Sequence, residues 1–500
     1  MKKDELIKKY REYQEKLYAY YYALSLISYD NETTAPKASL SEKSNYNTFL
    51  GMEVYKLETN EEYIQVVNEL FNIKDKLSSN LKREIELIKK DLDKTTKLPK
   101  ELIEEELDLD SNSYIAWLKA KDASDFSIFA PYLDRWIKFA KKRAEYIGLI
   151  NNNVYDTLLD EYEETVTTKE LDIFFGKLKD AIIPLIKKIE KSKVKINDDF
   201  TRAKVSREKQ LKLANYALKQ IGFDFKRGVV GETEHPFTTK ISPNDVRVTT
   251  HIYENAFLSN FFSIVHEGGH ALYDMNLSKK LGNTILREGT SSAIHESQSR
   301  FYENIIGRSE EFTGRIYKKV ISILPKEYKS ITPYKLYLGS NVAMPSLNRC
   351  DSDELTYTLH IIIRYEMEKM FLNGDVDVYE LPKIWNKLYK EYLGVDVLND
   401  KEGILQDVHW NGGFAYFPSY ALGNVISAQI LNTMQKEMDV FGLVKDGKIK
   451  QINDWLKNNV YIYGMLVSPK ELVKIVTKED INPDYYIKYL TDKFTKIYEL

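Results

Sequence analysis

The stretch IVHEGGHALYDM, residues 264–275, lies in a segment whose apolar residues recur at the spacing of an amphipathic helix. It places His266 and His270 four residues apart, with Glu267 between them. On a helix the two imidazoles project from one face, one turn apart, so each can give a nitrogen to the same metal ion. Glu267 lies at the edge of that face, where its carboxylate is better placed to reach a water on the metal. The spacing therefore predicts two metal ligands and a general base.

A third protein ligand must come from elsewhere in the chain, because a catalytic zinc ion takes three and keeps one position for water. The downstream candidates are Asp274, Glu288, His295 and Glu296. Glu296 lies in the next predicted helix, 26 residues after His270, a separation that suits an antiparallel partner helix. We expect Glu296 to be the ligand. His295 points about 100° away from Glu296 on a helix, so we expect it to support a ligand or to pack.

Two glycines, Gly268 and Gly269, lie inside the predicted metal helix, where each costs about 1 kcal/mol relative to alanine. Close approach of a strand or a substrate backbone would explain them, and so would tight packing of another helix. Upstream, residues 228–251 are rich in Gly, Pro and β-branched residues and predict two short strands joined by the turn SPND at 242–245. The strand VRVTTH at 246–251 is a candidate edge strand for aligning an extended peptide.

The rest of the chain has the rhythm of helices, with apolar residues at three- and four-residue steps. Gly (22) and Pro (13) together contribute only 35 of 500 residues, which favours long helices over a turn-rich β protein. We find no linker or repeat that forces a boundary, so we predict a mainly α chain with a single domain over 1–500. The predicted helices span 4–28, 61–78, 81–94, 126–149, 168–191, 207–221, 255–277, 290–306, 314–323, 354–372, 379–392 and 420–438.

The composition excludes several classes of protein. The 72 basic and 75 acidic residues give a net charge of −3, so the chain lacks the basic excess of a nucleic-acid or anionic-membrane binder. A single cysteine, Cys350, cannot form an intrachain disulfide and fits a reducing compartment. The N-terminal segment lacks the pattern of a signal peptide, and no apolar run approaches the roughly 18 residues of a membrane span. We expect a cytoplasmic protein without membrane partners.

Six short motifs occur in order along the chain: HPF (235–237), DVRVT (245–249), HEGGH (266–270), HESQ (295–298), NRCDSD (348–353) and GILQDVHW (403–410). Three longer segments accompany them: SYDNETTAPK (28–37), YDTLLDEYE (155–163) and YFPSYALGN (416–424). The six motifs resemble those of the M32 metallocarboxypeptidases, and the weaker similarity of the three segments extends the resemblance over essentially the whole chain. Two departures occur: Asn348 and Ser352 replace an apolar residue and Ala in the fifth motif, and Tyr29 stands where relatives usually carry Trp.

This resemblance implies a mainly α-helical ellipsoid split by a deep groove, with a small β-sheet next to the metal helix. It implies N-terminal helices, within 1–115, that cover one side of the groove, and a catalytic region within 228–430. It also implies a zinc- or cobalt-dependent homodimer that removes single residues from peptide C termini with broad preference. The third metal ligand implied by the resemblance is Glu296.

Further donors must stabilise the oxyanion that develops during peptide hydrolysis. The stretch HWNGGFAYFPSY supplies His409, Tyr416 and Tyr420. Its spacing resembles that of angiotensin-converting-enzyme-like peptidases, in which a His and a Tyr act in this way, so we favour His409 and Tyr420. The alternative for each tyrosine is a packed core residue with a polar tip.

An exopeptidase must also bind the terminal carboxylate of its substrate, and a planar guanidinium suits that task. Arg349 is our first candidate and Arg247 the second, although Arg247 is also placed to pair internally with Asp245. We expect His235 and Gln406 to line the site. Two other functions stay open from the sequence: an endo-oligopeptidase of the same helical clan, and a helical scaffold that has lost catalysis.

Overall fold

The computed structural model describes residues 2–374 and 376–500, and most of them lie in helices. Nine α-helices precede a small sheet: α1 Lys3–Thr33, α2 Leu40–Glu58, α3 Glu61–Asn72, α4 Ser79–Lys97, α5 Lys100–Ala123, α6 Ala130–Ile147, α7 Val154–Leu159, α8 Thr168–Lys191 and α9 Arg207–Ile221. Eleven follow it within the described residues: α10 Phe257–Asn276, α11 Ser292–Arg300, α12 Glu310–Ile323, α13 Pro333–Gly339, α14 Tyr357–Asn373, α15 Leu381–Leu393, α16 Phe417–Met434, α17 Val440–Asp446, α18 Ile449–Asn459, α19 Pro469–Thr477 and α20 Asp484–Tyr498. The prediction of a mainly α chain is confirmed. In the part of the chain that the structure describes, no helix has the length and apolar character needed to cross a membrane.

The sheet has three strands in the order β1 Gly228–Glu232, β3 Asp245–Thr250 and β2 Thr238–Ser242. β1 runs parallel to β3, and β2 runs antiparallel to it. The two predicted strands and their SPND turn are confirmed, and β1 is an additional strand. The prediction that VRVTTH forms an edge is wrong, because β1 pairs with the side of β3 that β2 leaves free. β2 is the edge strand beside the metal helix: the Thr238 hydroxyl donates to the Glu267 carboxylate.

The apolar side chains form two separate cores. The main core includes Leu102 and Trp117 of α5 and extends through the later helices. Helices α1–α4 have a core of their own, which consists of Leu6, Tyr10, Leu17, Val54, Tyr63, Val66, Val67, Leu70, Leu81, Ile85 and Leu92. A small third cluster joins Leu87 of α4 to Leu281 and Leu286. The first four helices therefore form a unit with its own core beside the main body.

The two glycines of the metal helix are explained by tight helix packing. A Cβ on Gly268 would lie 2.6 Å from Ile221 Cδ1 and 2.7 Å from Leu218 Cδ2, both on α9. A Cβ on Gly269 would lie 2.7 Å from the carbonyl oxygen of Gln298 and 2.7 Å from the Cα of Ser299, both on α11. Because the second clash is with backbone, no side-chain rotation relieves it. Gly269 therefore sets the distance between α10 and α11.

We predict that Gly269→Ala destabilises the protein by about 1–3 kcal/mol, because the methyl group forces α11 away from α10. Gly314 provides a matched control, since it lies inside α12 and a Cβ added there would have no neighbouring atom within 4 Å. Gly314→Ala should stabilise the protein by up to about 1 kcal/mol through helix propensity alone. Thermal unfolding of the two variants measures the difference. Equal shifts in Tm would show that the close helix contact does not matter.

A buried carboxylate on α14 supports the chain just before α16. Glu368 accepts hydrogen bonds from the Tyr155 hydroxyl at 2.9 Å, from Trp410 Nε1 at 3.2 Å and from the Ala415 amide at 3.1 Å. Ala415 has φ +63°, a left-handed conformation that costs a non-glycine residue roughly 1 kcal/mol. Burial raises the pKa of Glu368 to about 8. The carboxyl group is therefore largely protonated at neutral pH.

The pH dependence of stability should report this group. The pKa of Glu368 in the folded protein lies above its ordinary value of 4.5. The stabilising contribution of the protonated Glu368 is therefore complete below about pH 4.5 and is lost as the pH rises through about 8. The Tm of the wild-type protein should fall over this pH range. The Tm of the Glu368→Gln variant should fall less steeply, because the amide has no proton to lose. The two proteins should differ in the slope of the unfolding free energy against pH by at most about 1.4 kcal/mol per pH unit. Glu366→Gln on the same helix serves as the control with wild-type slope, and parallel curves for all three proteins would contradict this assignment.

Candidate active site

Three side chains on two helices form a cluster of metal-ligand type. His266 Nε2 lies 3.6 Å and His270 Nε2 3.5 Å from Glu296 Oε2. Bonds of about 2.0–2.2 Å at tetrahedral angles separate two donor atoms by roughly 3.4 Å, so these spacings fit one zinc-sized ion. Among the described residues, only this trio meets the geometric criterion for a metal site, with donor atoms within 4.8 Å of one another. The alternatives Asp274, Glu288 and His295 lie outside it.

The two helices that carry the cluster are held together by glycines. α10 carries both histidines and α11 carries Glu296, and Gly269 brings the two backbones close together. On the other side of α11, a Cβ on Gly423 of α16 would lie 2.6 Å from Glu296 Cγ. Gly423 therefore leaves the space that the Glu296 side chain occupies. The carboxylate has little freedom to turn away from the histidines.

Arg300 and Glu303 fix one half of the cluster. Arg300 Nε donates to Glu296 Oε1 at 2.6 Å, and Glu303 Oε2 pairs with His266 Nδ1 at 2.9 Å and with Arg300 Nη1 at 3.2 Å. Burial alone would raise the pKa of Glu296, but Arg300 and His266 hold it well below its usual range. The carboxylate is therefore ionised. Glu303 lies in the π-helical segment Phe301–Gly307 that continues α11, and such segments are frequent at functional sites.

His295 and Asp274 fix the other half. His270 Nδ1 lies 2.6 Å from His295 Nδ1, and His295 Nε2 lies 3.1 Å from Asp274 Oδ1. With His270 Nε2 facing the cluster, its Nδ1 carries the proton and donates to His295, and His295 in turn donates to Asp274. This chain of hydrogen bonds fixes the tautomer of both imidazoles. It agrees with the expectation that His295 supports a ligand.

Glu267 is oriented by the edge strand of the sheet. Its Oε2 accepts a hydrogen bond from the Thr238 hydroxyl at 2.6 Å, and its side chain lines the same cleft as the histidine pair. The carboxylate is otherwise free of lysine or arginine partners within the described chain. No sequence pattern indicates Thr238, because its role depends on how β2 packs against α10.

Tyr416 and Tyr420 line the same cleft as the cluster, and His409 contacts both tyrosines. His409 Nε2 lies 3.3 Å from the Tyr420 hydroxyl, and its ring stacks on Tyr416. Burial raises the pKa of Tyr420 well above its ordinary value and lowers the pKa of His409 to about 4. At neutral pH the phenol therefore keeps its proton and the imidazole is uncharged. The hydroxyl groups of Tyr416 and Tyr420 are therefore both potential donors at the cleft.

Arg349 and Gln406 lie deeper than expected from the sequence. The Arg349 guanidinium donates to Asp407 Oδ1 from Nε at 3.1 Å and from Nη2 at 2.9 Å, while Arg364 Nε holds Asp407 Oδ2 at 2.6 Å. Gln406 accepts from Arg364 Nη2 at 3.2 Å and donates to the Leu347 carbonyl at 2.6 Å. Within the described chain, neither Arg349 nor Gln406 is among the residues that line the cleft.

Arg247 and His235 lie on the sheet side. Arg247 makes a two-bond pair with Asp245, from Nε and Nη2, each at 2.9 Å. Its guanidinium also lies over the ring of Tyr29, 4.8 Å from the centroid. Arg247 therefore forms the internal pair with Asp245 that its place in the sequence also allowed. His235 is exposed on the loop that leads to β2.

The cleft itself is large, with a volume of about 1530 Å³. One wall comes from α1 and α4, and the other from β2, α10, α11 and the start of α16. Tyrosines are prominent among the lining residues, which include Tyr18, Tyr21, Tyr22, Tyr63, Tyr162, Tyr416 and Tyr420. Such a cleft can hold an extended peptide that ends near the histidine pair.

Sequence reasoning missed Arg300 and Glu303, although a signal for both was present. They follow Glu296 by four and seven residues, which places them on one face of a helix. The face that carries a metal ligand must also carry the groups that orient it, so this spacing would have predicted them.

Comparisons with known proteins show the family to which the chain belongs. The model of the family described as carboxypeptidase Taq (M32) metallopeptidase matches residues 9–494. Carboxypeptidase 1 of Bacillus subtilis (strain 168) is 40% identical over 498 residues, which cover 99% of this chain and 98% of that protein. Thermostable carboxypeptidase 1 of Pyrococcus furiosus is 34% identical over 498 residues, 98% of either chain. A crystal structure of an M32 carboxypeptidase from Deinococcus radiodurans R1 superposes with a TM-score of 0.95 at 29% identity, covering 99% of this chain and 100% of that one. The chain belongs to the carboxypeptidase Taq (M32) family of metallopeptidases.

Proposed function

We propose that this metallocarboxypeptidase uses one zinc ion held by His266, His270 and Glu296 to release single amino acids from peptide C termini, with broad preference. The observation that carries the proposal is the spacing of 3.5 and 3.6 Å between the two imidazole nitrogens and one carboxylate oxygen. Family membership implies a divalent metal ion and peptide substrates. Two imidazoles with one carboxylate suit zinc, and cobalt is the alternative that the resemblance leaves open. A zinc ion bound there would lower the pKa of its water to about 7 and polarise the scissile carbonyl.

Glu267 moves the proton in this proposal. Its carboxylate takes a proton from the attacking water and passes it to the nitrogen of the leaving amino acid. Thr238 holds one carboxylate oxygen at 2.6 Å, which leaves the other for the water. The Tyr420 hydroxyl donates to the oxyanion, and the uncharged His409 positions that hydroxyl from behind. Tyr416 packs on His409 and completes this wall of the site.

Arg349 recognises the terminal carboxylate in this proposal. Arg349 and Arg364 share a single carboxylate, that of Asp407, so the buried group carries a net positive charge directly behind Tyr420. Because Arg364 keeps its own bond to Asp407, Arg349 can turn a guanidinium nitrogen toward a substrate carboxylate without leaving Asp407 unpaired. Arg247 is the second candidate. His235 contributes to substrate binding from the loop before β2. Gln406 contributes to substrate binding through Arg349.

We further propose that the chain works as a cytoplasmic homodimer in which residues within 1–115 cover the groove and 228–430 carry the catalytic region. Three observations support this. α1 and α4 supply one wall of the cleft, and the proposed catalytic and metal-binding side chains lie between His266 and Tyr420. α2 exposes the apolar side chains of Tyr46, Phe49 and Met52. Cys350 is exposed and free, as expected in a reducing compartment.

The first test separates metal binding from proton transfer. Glu267→Gln should lower kcat by roughly 10²- to 10⁴-fold, because the amide cannot accept the proton, and should keep one metal ion per chain. Glu296→Ala should lose the metal ion as well as the activity. Elemental analysis of the dialysed proteins and kcat on a short free-acid peptide measure both effects. Wild-type kcat for Glu267→Gln with metal bound would remove Glu267 from the role of general base.

The second test concerns the terminal carboxylate. The wild-type enzyme should shorten a free-acid peptide one residue at a time and leave its C-terminal amide uncut, as read by mass spectrometry. Arg349→Ala should lower kcat/KM for the free acid by roughly 10- to 100-fold, the worth of a hydrogen bond to a charged group. Arg247→Ala serves as the comparison. A larger loss for Arg247→Ala than for Arg349→Ala would exchange their roles, and internal cleavage of the amide would identify an endopeptidase.

A further inference from the structure

Glu163 is a buried acid for which the proposed function has no role, although it ends the YDTLLDEYE segment at 155–163. Only 1% of its surface is exposed, and it lies four residues after the end of α7. Burial raises the pKa of Glu163 to about 7, while hydrogen bonds from Ser291, Ser419 and Ala293 oppose that effect. No lysine or arginine of the described residues forms an ion pair with it. Burial of an acidic group without a neighbouring cation costs free energy, so other contacts must compensate for it.

The hydrogen bonds of Glu163 provide this compensation and connect two helices of the site. A single carboxyl oxygen, Oε1, accepts the Ala293 amide at 2.6 Å and the Ser419 hydroxyl at 2.8 Å. Ala293 lies in the first turn of α11, three residues before Glu296. Ser419 lies in the first turn of α16, immediately before Tyr420. One atom therefore joins the starts of the two helices that carry the third metal ligand and the oxyanion donor.

Two neighbouring contacts extend this connection. One turn further along, Gly423 of α16 packs directly against the Glu296 side chain, so the two helices touch where the ligand leaves α11. Beside Glu163, the ring of Tyr162 packs edge-to-face on Tyr416 with centroids 5.0 Å apart. The segment that ends in Glu163 thus contacts α11, α16 and Tyr416 through two adjacent residues, Tyr162 and Glu163.

We propose that Glu163 is a positioning residue for the carboxypeptidase reaction: by accepting from α11 and α16 at once, it fixes the distance between the Glu296 carboxylate and the Tyr420 hydroxyl. The group does not line the cleft and touches no reacting atom. Its amide partner at the start of α11 also favours a carboxylate there, since the first turn of a helix presents free N–H groups. This proposal rests on the proposed roles of Glu296 and Tyr420.

The test is a double-mutant cycle combined with a metal-affinity measurement. Glu163→Ala should lower kcat by roughly 10- to 100-fold and weaken zinc affinity, measured against a competing chelator, by about 10-fold or more. In a Tyr420→Phe background the same change should lower kcat by less than about threefold, because the misplaced hydroxyl is already absent. Glu163→Gln keeps an acceptor of the same shape and should restore most of the lost kcat.

Asp156 offers a matched control on the same segment. It is buried and accepts the Thr168 amide at 2.7 Å at the start of α8, so Asp156→Ala disturbs a comparable contact away from the site. This variant should lower Tm while kcat and zinc affinity stay within about twofold of wild type, as expected for a role in stability alone. If Glu163→Ala does not fold, Ser419→Ala removes only the α16 bond. Its loss of kcat should then shrink to less than about threefold in the Tyr420→Phe background.

Two results would overturn the proposal. One is a folded Glu163→Ala enzyme with unchanged zinc affinity, and the other is a loss of kcat that stays the same with or without the Tyr420 hydroxyl. If Ser419→Ala lowers kcat by the same factor in the wild-type and Tyr420→Phe backgrounds, the proposal is likewise overturned. A wild-type protein that binds no zinc or releases no amino acid would instead refute the proposed function, so the two failures are distinguishable.

Discussion

The buried pairing of Arg300 with Glu296 is the interaction on which the rest of the site depends. A carboxylate enclosed by three helices stays ionised only if a cation compensates its lost hydration, and Arg300 donates to it at 2.6 Å from the next turn of α11. Glu303 then pairs with Arg300 Nη1 and with His266 Nδ1. The helices can approach this charged centre because Gly269 and Gly423 leave room for it. Charge and packing at the site are therefore parts of one arrangement.

Charge is distributed in opposite senses on the two sides of the cleft. The metal side holds the acids Glu267, Glu296 and Glu303, which attract a divalent cation. Behind Tyr420, two arginines share one aspartate, and the neighbouring His409 is uncharged. The tyrosine-rich walls add contact area without adding charge.

The sequence predicted the local features well and the long-range ones poorly. The spacing of His266 and His270 and the helical rhythm around them follow from local geometry, and the structure brings Glu296 to them. α2 and α5 were not predicted because exposed apolar side chains such as Phe49, Leu107 and Ile115 blur their amphipathic pattern. The central place of β3 and the burial of Arg349 against Asp407 depend on partners far away in the chain, which spacing alone does not reveal.

The separate core of α1–α4 has a consequence for how substrates enter. Because these helices pack on one another, a rigid-body displacement of α1–α4 would leave the apolar contacts inside each core in place. The contacts that join this unit to the main body include Leu87 against Leu281 and Leu286, and Tyr29 against Phe237 and Arg247. The ion pairs of Arg83 with Glu164 and of Lys90 with Asp160, each at 2.7 Å, add to them. Since this unit forms a wall of the cleft, a hinge motion of it would change the width of the entrance. Folded proteins would then be excluded by size, while flexible peptide ends are admitted.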